Sequence, residues 1–369
     1  MKIKFNGKNQ PGFYAEVKQE VNKYFEQNNI SRNANGAMIF KTVFFLSSLV
    51  GLYLLIVFGG FNIWISLTLA ILLGMVQAFI GFNVCHDAIH GSYSANSTVN
   101  KLLSMTFNLI GANPYVWKIA HNQVHHTFTN IPGHDEDLDV APGLIRVSPQ
   151  DKHHPIMKYQ HVYAFFLYCF ASLSWVFRKD FVKFFQKKIG PVDNVNHPKI
   201  EYFNLFFYKV LYYALFIVVP LLVMDITWWQ FLLGFVIMHL AEGLVLGLVF
   251  QLAHVVEGTE FPEPDMDGRL EESWAIHQML TTANFSTKSP LATFLCGGLN
   301  FQVEHHLFAN ICHIHYPEIS KIVERTAKKY NVPYHANKTF FKALASHYKT
   351  LKKFGKNKVV VMEPAARAA

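Results

Sequence analysis

The distribution of apolar residues along the chain predicts four helices that are long enough to cross a lipid bilayer. A span requires about 20 mostly apolar residues. Four segments reach this length, at approximately 38–58, 61–84, 205–224 and 227–252. Only short turns separate the first from the second and the third from the fourth. We therefore expect an all-α integral membrane protein with four transmembrane helices in two hairpins.

Two further apolar runs, at about 102–117 and 162–177, are each about 16 residues long, which is short for a span. If only one of them crossed the membrane, the histidine clusters described below would lie on opposite faces and could not share a site. We therefore predict that both runs form helices that lie in, or dip into, the membrane interface.

The positions of the basic residues predict the orientation, because Lys and Arg concentrate on the cytosolic side of a membrane protein. Lys and Arg are frequent before residue 38 and again at 178–188, whereas the two short turns between paired spans contain none. This pattern predicts a cytosolic N-terminal arm (1–37), a membrane domain (38–316) with a cytosolic helical cap, and a cytosolic C-terminal helix and tail (317–369). The arm has no apolar core near its start, so we do not expect a cleaved signal peptide.

The composition agrees with a membrane protein and argues against a nucleic-acid-binding protein. Of the 369 residues, 51% are hydrophobic and 34 are Phe, while the net charge is +8. No recognition-helix or basic–aromatic strand pattern accompanies that charge, so attraction to anionic lipid headgroups explains it better. The four cysteines are scattered, which predicts reduced, structural thiols.

Three histidine clusters lie just outside the apolar runs and carry the candidate chemistry. Their sequences are HDAIH (86–90), HNQVHH (121–126) and QVEHH (302–306). The i, i+4 spacing places His86 with His90, and His121 with His125, on one helical face. Imidazole suits iron, zinc, copper and nickel. Five or more imidazoles exceed the needs of one tetrahedral zinc ion, so the count predicts two metal ions.

The second and fourth predicted spans run in the same direction and end near His86 and His254. Extended by about one turn, at about 1.5 Å per residue, they would present these histidines at one level on the cytosolic side. The metal site would then lie on top of the helical bundle, where a lipid tail can reach it.

With these residues, the chain resembles the membrane fatty acid desaturase family. The three clusters match its three histidine boxes in order, spacing and position, and the similarity extends through HHTFTNIPGHDEDLD (125–139) and GGLNFQVEHHLF (297–308). It covers roughly residues 38–316. Gln302, at the first position of the last box, resembles the subgroup of front-end and linoleoyl-type acyl desaturases.

The resemblance implies a di-iron centre that activates O2 and removes two hydrogens from adjacent carbons of an acyl chain, giving a cis double bond. Carried over residue by residue, the implied iron ligands are His86, His90, His121, His125, His126, His254, His305 and His306. Gln302 either ligates weakly or holds a water beside the metals. No catalytic residue beyond the metal centre is implied.

The chemistry agrees with this assignment, since an unactivated methylene requires an oxidising metal centre rather than general acid–base catalysis. Neutral imidazoles also need partners that fix their tautomers. Carboxylates beside the boxes are candidates for that role: Asp87, Asp135, Asp137, Asp139 and Glu304. The acidic run at 135–139 is alternatively a solvated turn.

Several partners are implied. The acyl group could be carried by CoA, acyl carrier protein or phospholipid. Many members of the subgroup carry a fused cytochrome domain with an HPGG haem motif, which this sequence does not contain. We therefore expect electrons from a separate ferredoxin-like or cytochrome-type protein with its reductase.

Other polar residues have structural or functional interpretations. His239 and Glu242 lie near the middle of the fourth predicted span, where ionisable groups are costly and often functional. They form either a hydrogen-bonded structural pair or the end of an acyl tunnel. His277 and Gln278 are candidates for supporting the site or binding substrate. The remaining histidines (His153, His154, His161, His313 and His315) and Trp274 are predicted to be interfacial.

Three other functions compete with desaturation. A related hydroxylase would use the same oxidant. A metal transporter would place its ligands along a pathway near the membrane midplane, and a bis-histidine haem protein would pair histidines inside the spans. The histidine clusters lie outside the predicted spans, which argues against the last two.

Overall fold

The computed structural model describes residues 3–7, 12–138, 141–148 and 150–356, and these ranges are mainly helical. The predicted C-terminal tail beyond 356 and the candidate carboxylate Asp139 lie outside the described residues.

Four long, apolar helices form the centre of the protein and confirm the predicted all-α membrane class. In chain order the candidate spans are Gly36–Phe58, Ile63–His90, Lys199–Val223 and Trp228–His254. The first is α2 (Gly36–Phe58) and the fourth is α13 (Trp228–His254). The second consists of α3 (Ile63–Ile80), a π-helix (Gly81–Cys85) and α4 (His86–His90). The third consists of α11 (Lys199–Tyr213), a π-helix (Ala214–Val218) and α12 (Val219–Val223).

Side-chain caps determine where three of these helices begin. The side chain of Asn35 accepts hydrogen bonds from the first turn of α2, and that of Asn62 does the same for α3. Thr227 and Gln230 form a capping box at the start of α13. Such caps satisfy backbone N–H groups that have no partner within the helix. The polar turn residues therefore fix the helix starts.

The second and third helices differ in length from the sequence-based spans. The second continues past residue 84 to His90, and the third begins at Lys199 rather than near residue 205. Residues 199–204 mix charged and apolar side chains, so a hydropathy pattern does not include them. An α-helix can nevertheless continue beyond the apolar layer because its backbone hydrogen bonds are internal.

The two shorter apolar runs form broken helices, and neither is among the four candidate spans. The first contains α5 (Ser97–Ser104), a 3-10 helix (Met105–Ile110) and α6 (Pro114–Lys118). The second contains α8 (Gln160–Tyr168), α9 (Ala171–Ser174), a π-helix (Trp175–Lys179) and α10 (Asp180–Phe185). Ser172 contacts His239 in α13, so the second run reaches the middle of the fourth span.

The remaining helices surround the ends of the spans that carry histidines. They are α1 (Phe13–Asn28), a π-helix (Ile119–His125), α7 (His126–Phe128), a 3-10 helix (Pro155–Tyr159), α14 (Trp274–Thr281), α15 (Pro290–Leu295), α16 (Gln302–Leu307), a 3-10 helix (His313–His315), α17 (Tyr316–Lys329) and α18 (Phe340–Phe354).

The described ranges contain three pairs of β-strands, and each strand is two residues long. β1 (Lys4–Phe5) pairs in parallel with β4 (Arg269–Leu270), and β2 (Lys188–Ile189) pairs antiparallel with β3 (Val192–Asp193). β5 (Asn284–Phe285) pairs in parallel with β6 (Ala336–Asn337).

A separate hydrophobic core fixes the helix that carries the third histidine cluster. Phe13, Val17 and Val21 of α1 pack with Ile319 and Val323 of α17, and the same core includes residues of α14 and α16. These side chains are nearly all buried. The N-terminal helix therefore packs in the same core as α16, and Tyr14 donates a hydrogen bond to the backbone carbonyl of Leu307 at the end of α16.

Candidate metal centre

The first two histidine clusters lie where α-helices change into π-helices. His86 and His90 follow the π-helix that extends α3, and His121 and His125 lie within the π-helix Ile119–His125. π-bulges occur frequently at functional sites. The His86 and His90 rings lie 4.7 Å apart between centroids, and the His121 and His125 rings lie 5.0 Å apart. Each predicted pair therefore shares one face.

Two groups of histidines form candidate ligand sets. His86, His90, His121 and His305 each contribute one nitrogen, and these nitrogens lie within 4.8 Å of one another. The second group contains His125, His254 and His306, which meet the same criterion. Each group combines histidines from more than one cluster, and His254 comes from the end of α13.

His126 lies between the two groups. Its Nε2 atom is 3.2 Å from Nε2 of His121, and its ring lies 4.5 Å from that of His305 and 4.4 Å from that of His306. The structure thus brings all eight predicted ligands together in one buried region.

The donor set fits a metal, because several buried imidazole nitrogens have no hydrogen-bond partner among the described residues. They include Nε2 of His90, His125, His305 and His306, and both ring nitrogens of His86. Buried polar atoms are normally hydrogen-bonded. Unpaired nitrogens that converge in two groups are the arrangement that two bound metal ions would satisfy.

Burial also keeps four of the predicted ligands, His121, His126, His305 and His306, in the neutral form that a metal requires. It lowers the pKa of His121 to about 3. Desolvation likewise lowers the pKa of His126, His305 and His306, with neighbouring histidines adding to the effect. At these four histidines, protons therefore do not compete with a metal at neutral pH.

Carboxylates orient the second cluster. Asp135 accepts a 2.8 Å hydrogen bond from Nδ1 of His125. Burial alone would lower the pKa of His125, but the charge and hydrogen bond of Asp135, together with the charge of Asp137, outweigh it and the pKa is raised. Asp137 lies 3.4 Å from Nδ1 of His121 and also contacts Lys183. The described part of the acidic run is therefore a partner of the histidines rather than a solvated turn.

Uncharged groups orient three other histidines. Nδ1 of His306 lies 2.8 Å from Oε1 of Gln278, and Nδ1 of His305 lies 3.3 Å from the hydroxyl of Tyr316. Nδ1 of His254 lies 3.3 Å from the backbone carbonyl of Thr281. In each case the partner holds Nδ1, so Nε2 is directed towards the centre.

Asp87 and Glu304, two of the predicted supporting carboxylates, have their strongest contacts elsewhere. Asp87 lies 3.8 Å from Nδ1 of His86 but accepts a 2.8 Å hydrogen bond from His313. Glu304 is hydrogen-bonded to Asn284 and Tyr334, and burial raises its pKa to about 7. Glu304 therefore anchors α16 from behind.

Gln302 lies beside the second group. Its side-chain nitrogen is 3.1 Å from Nε2 of His254, and its Oε1 has no hydrogen-bond partner among the described residues. The terminal amide thus lies close to the histidines, and this position fits both predicted roles, weak ligation of a metal and binding of a water beside the metals.

Three residues predicted to be interfacial are instead part of the support. His313 is 1% exposed and lies between Asp87 and Lys41, and His315 is also buried. Trp274 donates a hydrogen bond from its indole nitrogen to the carbonyl of His126. These predictions were wrong because local sequence does not reveal that residues 313–315 fold under the first cluster.

The structure also shows the contacts of the two undecided pairs. His239 and Glu242 form the predicted hydrogen-bonded group, and both contact Ser172. Gln278 supports His306, whereas His277 is buried beside Phe5.

Sequence reasoning missed Trp117, Tyr316 and Thr281. The ring of Trp117 stacks on His121 at 4.0 Å with an interplanar angle of 20°. Its position four residues before His121 was a usable signal, because i, i+4 residues share a helical face. The roles of Tyr316 and Thr281 depend on contacts across the fold and had no local signal.

An apolar cavity of about 120 Å³ opens beside the histidines. Its lining includes His86, His121 and Gln302. Most of the other lining residues are apolar, such as Phe107 and Leu246, and the polar ones are Asp137, Ser174 and Lys179. Four apolar helices long enough to cross a membrane, with buried histidine groups that fit a metal site at one end and an adjoining cavity, indicate the class of integral membrane proteins with a histidine-rich metal site.

Comparison with known proteins identifies the family. Residues 62–338 match the model of the fatty acid desaturase family, and the chain belongs to that family. It is 36% identical to an sn-1 linoleoyl-lipid 6-desaturase of Arthrospira platensis, over 94% of this chain and 93% of that protein. It is 35% identical to the protein of the same name from Synechocystis, over 96% and 98%. It is 37% identical to an acyl-lipid (8-3)-desaturase of Physcomitrium patens, over 93% of this chain and 72% of that protein.

The chain is therefore a fatty acyl desaturase, an oxidoreductase of lipid metabolism. The predicted resemblance to the front-end and linoleoyl-type subgroup is confirmed by these relatives.

Proposed function

We propose that the protein introduces a cis double bond into a lipid-bound acyl chain at a histidine-bound di-iron centre, using O2 and electrons from a separate redox protein. The observation that carries the proposal is the convergence of two buried histidine groups at the end of an apolar cavity. Imidazole donors suit iron, and the family membership makes O2-dependent desaturation the chemistry to expect.

In this proposal the two histidine groups each hold one iron. His86, His90, His121 and His305 bind the first, His125, His254 and His306 bind the second, and His126 lies close enough to serve either. Bound iron would supply the oxidising power that activates O2 towards an unactivated methylene. Asp135, Gln278 and Tyr316 fix the ring orientations through the Nδ1 contacts given above.

The stoichiometry requires an external electron source. Removing two hydrogens from adjacent carbons supplies two electrons and two protons, whereas reducing O2 to two waters consumes four of each. Two further electrons and two protons must therefore enter in each turnover. We assign the electrons to a separate ferredoxin-like or cytochrome-type protein with its reductase.

The apolar cavity is the proposed site for the acyl chain. Phe107, Leu246, Val249 and Phe250 line it and provide an apolar surface with few polar groups, which suits an alkyl chain. His86 and His121 line the same space, so carbons within it would lie beside the proposed metals. Exclusion of water from this cavity would protect the oxidant from side reactions.

The names of the relatives favour a lipid-linked, already unsaturated substrate. Two are named for linoleoyl lipids and one for acyl lipids. We therefore favour an acyl group on a membrane lipid over acyl-CoA or acyl carrier protein. The basic residues at the histidine ends of the spans support a cytosolic orientation of that side and of both termini.

The test is the fatty-acid profile of a bacterial host that expresses the chain and is supplied with linoleate. A His305→Ala/His306→Ala variant serves as the control. Product analysis by mass spectrometry should locate a new double bond in the wild type only, and purified wild type should contain about two irons, as a two-group site implies. Replacement of His125 or His306 with Ala should abolish the product.

Three results would contradict the proposal. A hydroxylated product would assign the sister chemistry, in which oxygen returns to the carbon. Full activity in the His125→Ala or His306→Ala variant would contradict the ligand assignment. Turnover with O2 and substrate but without an added electron donor would contradict the need for a separate carrier.

A further inference from the structure

On the second span and on α13, the residues of one helical face line two separate cavities. On each helix, one polar residue lies between the two sets of cavity-lining residues. On the second span, Ala70 and Leu73 of α3 line a cavity at the end away from the histidines, and Gly81 of the following π-helix lines the apolar cavity beside them. Gln77 lies between these two sets. Residues three or four apart share a helical face, so Gln77 lies on the same face as Leu73 and Gly81, between the two cavities.

The corresponding face of α13 has the same arrangement. Phe235 and Met238 line the distant cavity, and Leu246 and Phe250 line the cavity beside the histidines. Glu242 lies between them, four residues from both Met238 and Leu246. Both faces end at proposed metal ligands, His86 on the second span and His254 on the fourth.

We call the two spaces the inner cavity, beside the histidines, and the outer cavity, at the opposite end of the bundle. The outer cavity has a volume of about 280 Å³ and is lined by residues of all four spans. At about 1.5 Å per residue, Glu242 lies about 18 Å along α13 from His254. The inner cavity therefore lies within the stretch of about 18 Å between the proposed metal ligand His254 and Glu242.

A buried polar cluster occupies the level between the cavities. Ser172 of α9 contacts both Glu242 and His239, and Nε2 of His239 lies 3.1 Å from the hydroxyl of Tyr212. Gln77 of α3 lies near Tyr212, and its amide nitrogen donates a 3.3 Å hydrogen bond to the backbone carbonyl of Leu109. Four of these five side chains are completely buried, and Tyr212 is 2% exposed. Three elements of the bundle and the broken helix are therefore joined at one level.

The helix backbones also approach closely at this level. A Cβ atom on Gly74 would lie 2.0 Å from the carbonyl oxygen of Met238. The absence of a side chain at Gly74 lets α3 and α13 touch, which leaves no gap for an alkyl chain between them. Passage of an acyl chain must therefore displace the polar cluster.

We propose that the cluster formed by Gln77, Ser172, Tyr212, His239 and Glu242 is the floor of the acyl site and limits how far the chain extends beyond the reacting carbons. The proposal rests on the proposed function, since it takes the inner cavity as the acyl site. An alkyl chain that displaced the cluster would leave buried polar groups without partners, which is energetically costly. The floor therefore resists longer chains through the volume of its side chains as well as through their buried polar contacts.

Gln77 is the residue to change, because it is part of the floor but not of the Ser172–His239–Glu242 contacts. Gln77→Ala should open a path from the inner to the outer cavity. Gln77→Met, which has a similar volume, should keep the path closed. Leu73→Ala enlarges only the outer cavity and serves as the matched control.

The first measurement is the product distribution from a series of acyl chains of graded length. We expect Gln77→Ala to raise conversion of the chains that are too long for wild type by about tenfold relative to the preferred chain, the scale of discrimination by a hydrophobic pocket. Gln77→Met and Leu73→Ala should keep the wild-type distribution. An unchanged distribution in an active Gln77→Ala variant would overturn the proposal.

The second measurement does not depend on turnover or on any variant folding. An acyl chain with a photoreactive diazirine on its terminal carbon is bound to wild-type protein, and labelled peptides are identified by mass spectrometry. Labels should fall on residues of the inner cavity, such as Ala171 or Leu246. Labels on Leu73 or Phe235 in wild type would show that the floor is open and overturn the proposal.

The two proposals fail in different ways. If wild type gives no unsaturated product but the labels stop at the inner cavity, the proposed function fails and the floor stands. If wild type gives the product and the labels reach the outer cavity, the floor fails and the proposed function stands.

Discussion

Nδ1 of His125 lies 2.8 Å from a carboxylate oxygen of Asp135, and the side chains of both residues are fully buried. The same Asp135 oxygen accepts a hydrogen bond from the backbone N–H of Asn130, and Oδ1 accepts one from the N–H of Asp137. The loop that follows the second cluster is thus folded around the carboxylate that holds His125. Ring orientation and loop conformation are determined together.

Replacement of Asp135 should weaken metal binding. Asp135→Asn removes the charge that favours the Nδ1-protonated ring and its orientation, so we expect a decrease of about 10–100-fold in metal affinity or activity. Iron content after dialysis against a graded chelator measures the effect. Asp193→Asn, in an exposed ion pair with Lys188, is the control and should bind iron like wild type. Equal iron retention in both variants would contradict the role of Asp135.

Gln302 should contribute through its amide group. Its nitrogen lies 3.1 Å from Nε2 of His254, so an apolar replacement leaves a gap in the polar surroundings of the second histidine group. We expect Gln302→Leu to lower metal affinity by about tenfold, whereas Gln302→His, which restores a nitrogen donor, should retain it. Metal titration of the purified variants decides this. Wild-type affinity in Gln302→Leu would show that the amide is not needed.

Acid should destabilise the protein partly through His347, which is not among the proposed metal ligands. His347 of α18 lies 2.9 Å from the hydroxyl of Tyr168 and 2.6 Å from the carbonyl of Val255. Burial lowers its pKa from 6.5 to about 4. The unfolded chain therefore binds the proton more readily, and stability falls as the pH decreases from 6.5 towards 4.

The size of this effect can be isolated with a variant. The lowered pKa of His347 corresponds to a loss of about 3 kcal/mol in the free energy of unfolding as the pH decreases from 6.5 to 4. His347→Gln should show a smaller decrease in melting temperature between pH 7.5 and pH 5 than wild type, measured by intrinsic fluorescence in detergent. His154→Gln, at an exposed position, should follow wild type. Parallel curves for all three proteins would contradict the assignment.

Cysteine labelling tests the predicted orientation. The four native cysteines are buried or partly buried, so background labelling should be low. Asp225→Cys lies in the turn before α13 and Lys338→Cys lies between α17 and α18, and both positions are exposed. A membrane-impermeant maleimide applied outside intact cells should label Asp225→Cys, and should reach Lys338→Cys only after permeabilisation. The opposite pattern would place the histidines outside the cytosol.

The sequence by itself determined the class of the protein and its candidate ligands. Runs of about 20 apolar residues can satisfy their backbone in lipid only as helices, so hydropathy was sufficient to find four spans. The i, i+4 spacing of His86 with His90 is a local property of a helix and was equally visible. His254 was predictable because the end of a span is also a local feature.

Tertiary structure decided how these residues are combined and supported. The division into two histidine groups mixes residues from distant segments, and no local pattern assigns His305 to the first group and His306 to the second. The burial of His313 under Asp87 and the contact of Trp274 with His126 are likewise long-range.

The proposed polar floor shows the same difference between what the sequence predicts and what only the fold reveals. The sequence showed that His239 and Glu242 lie in a span, because their neighbours are apolar. Only the fold shows that Ser172, from a broken helix, reaches them and that Gly74 lets two spans touch there. Helix formation depends on interactions within a few residues, whereas cavities and their ends depend on packing between segments that are distant in the chain.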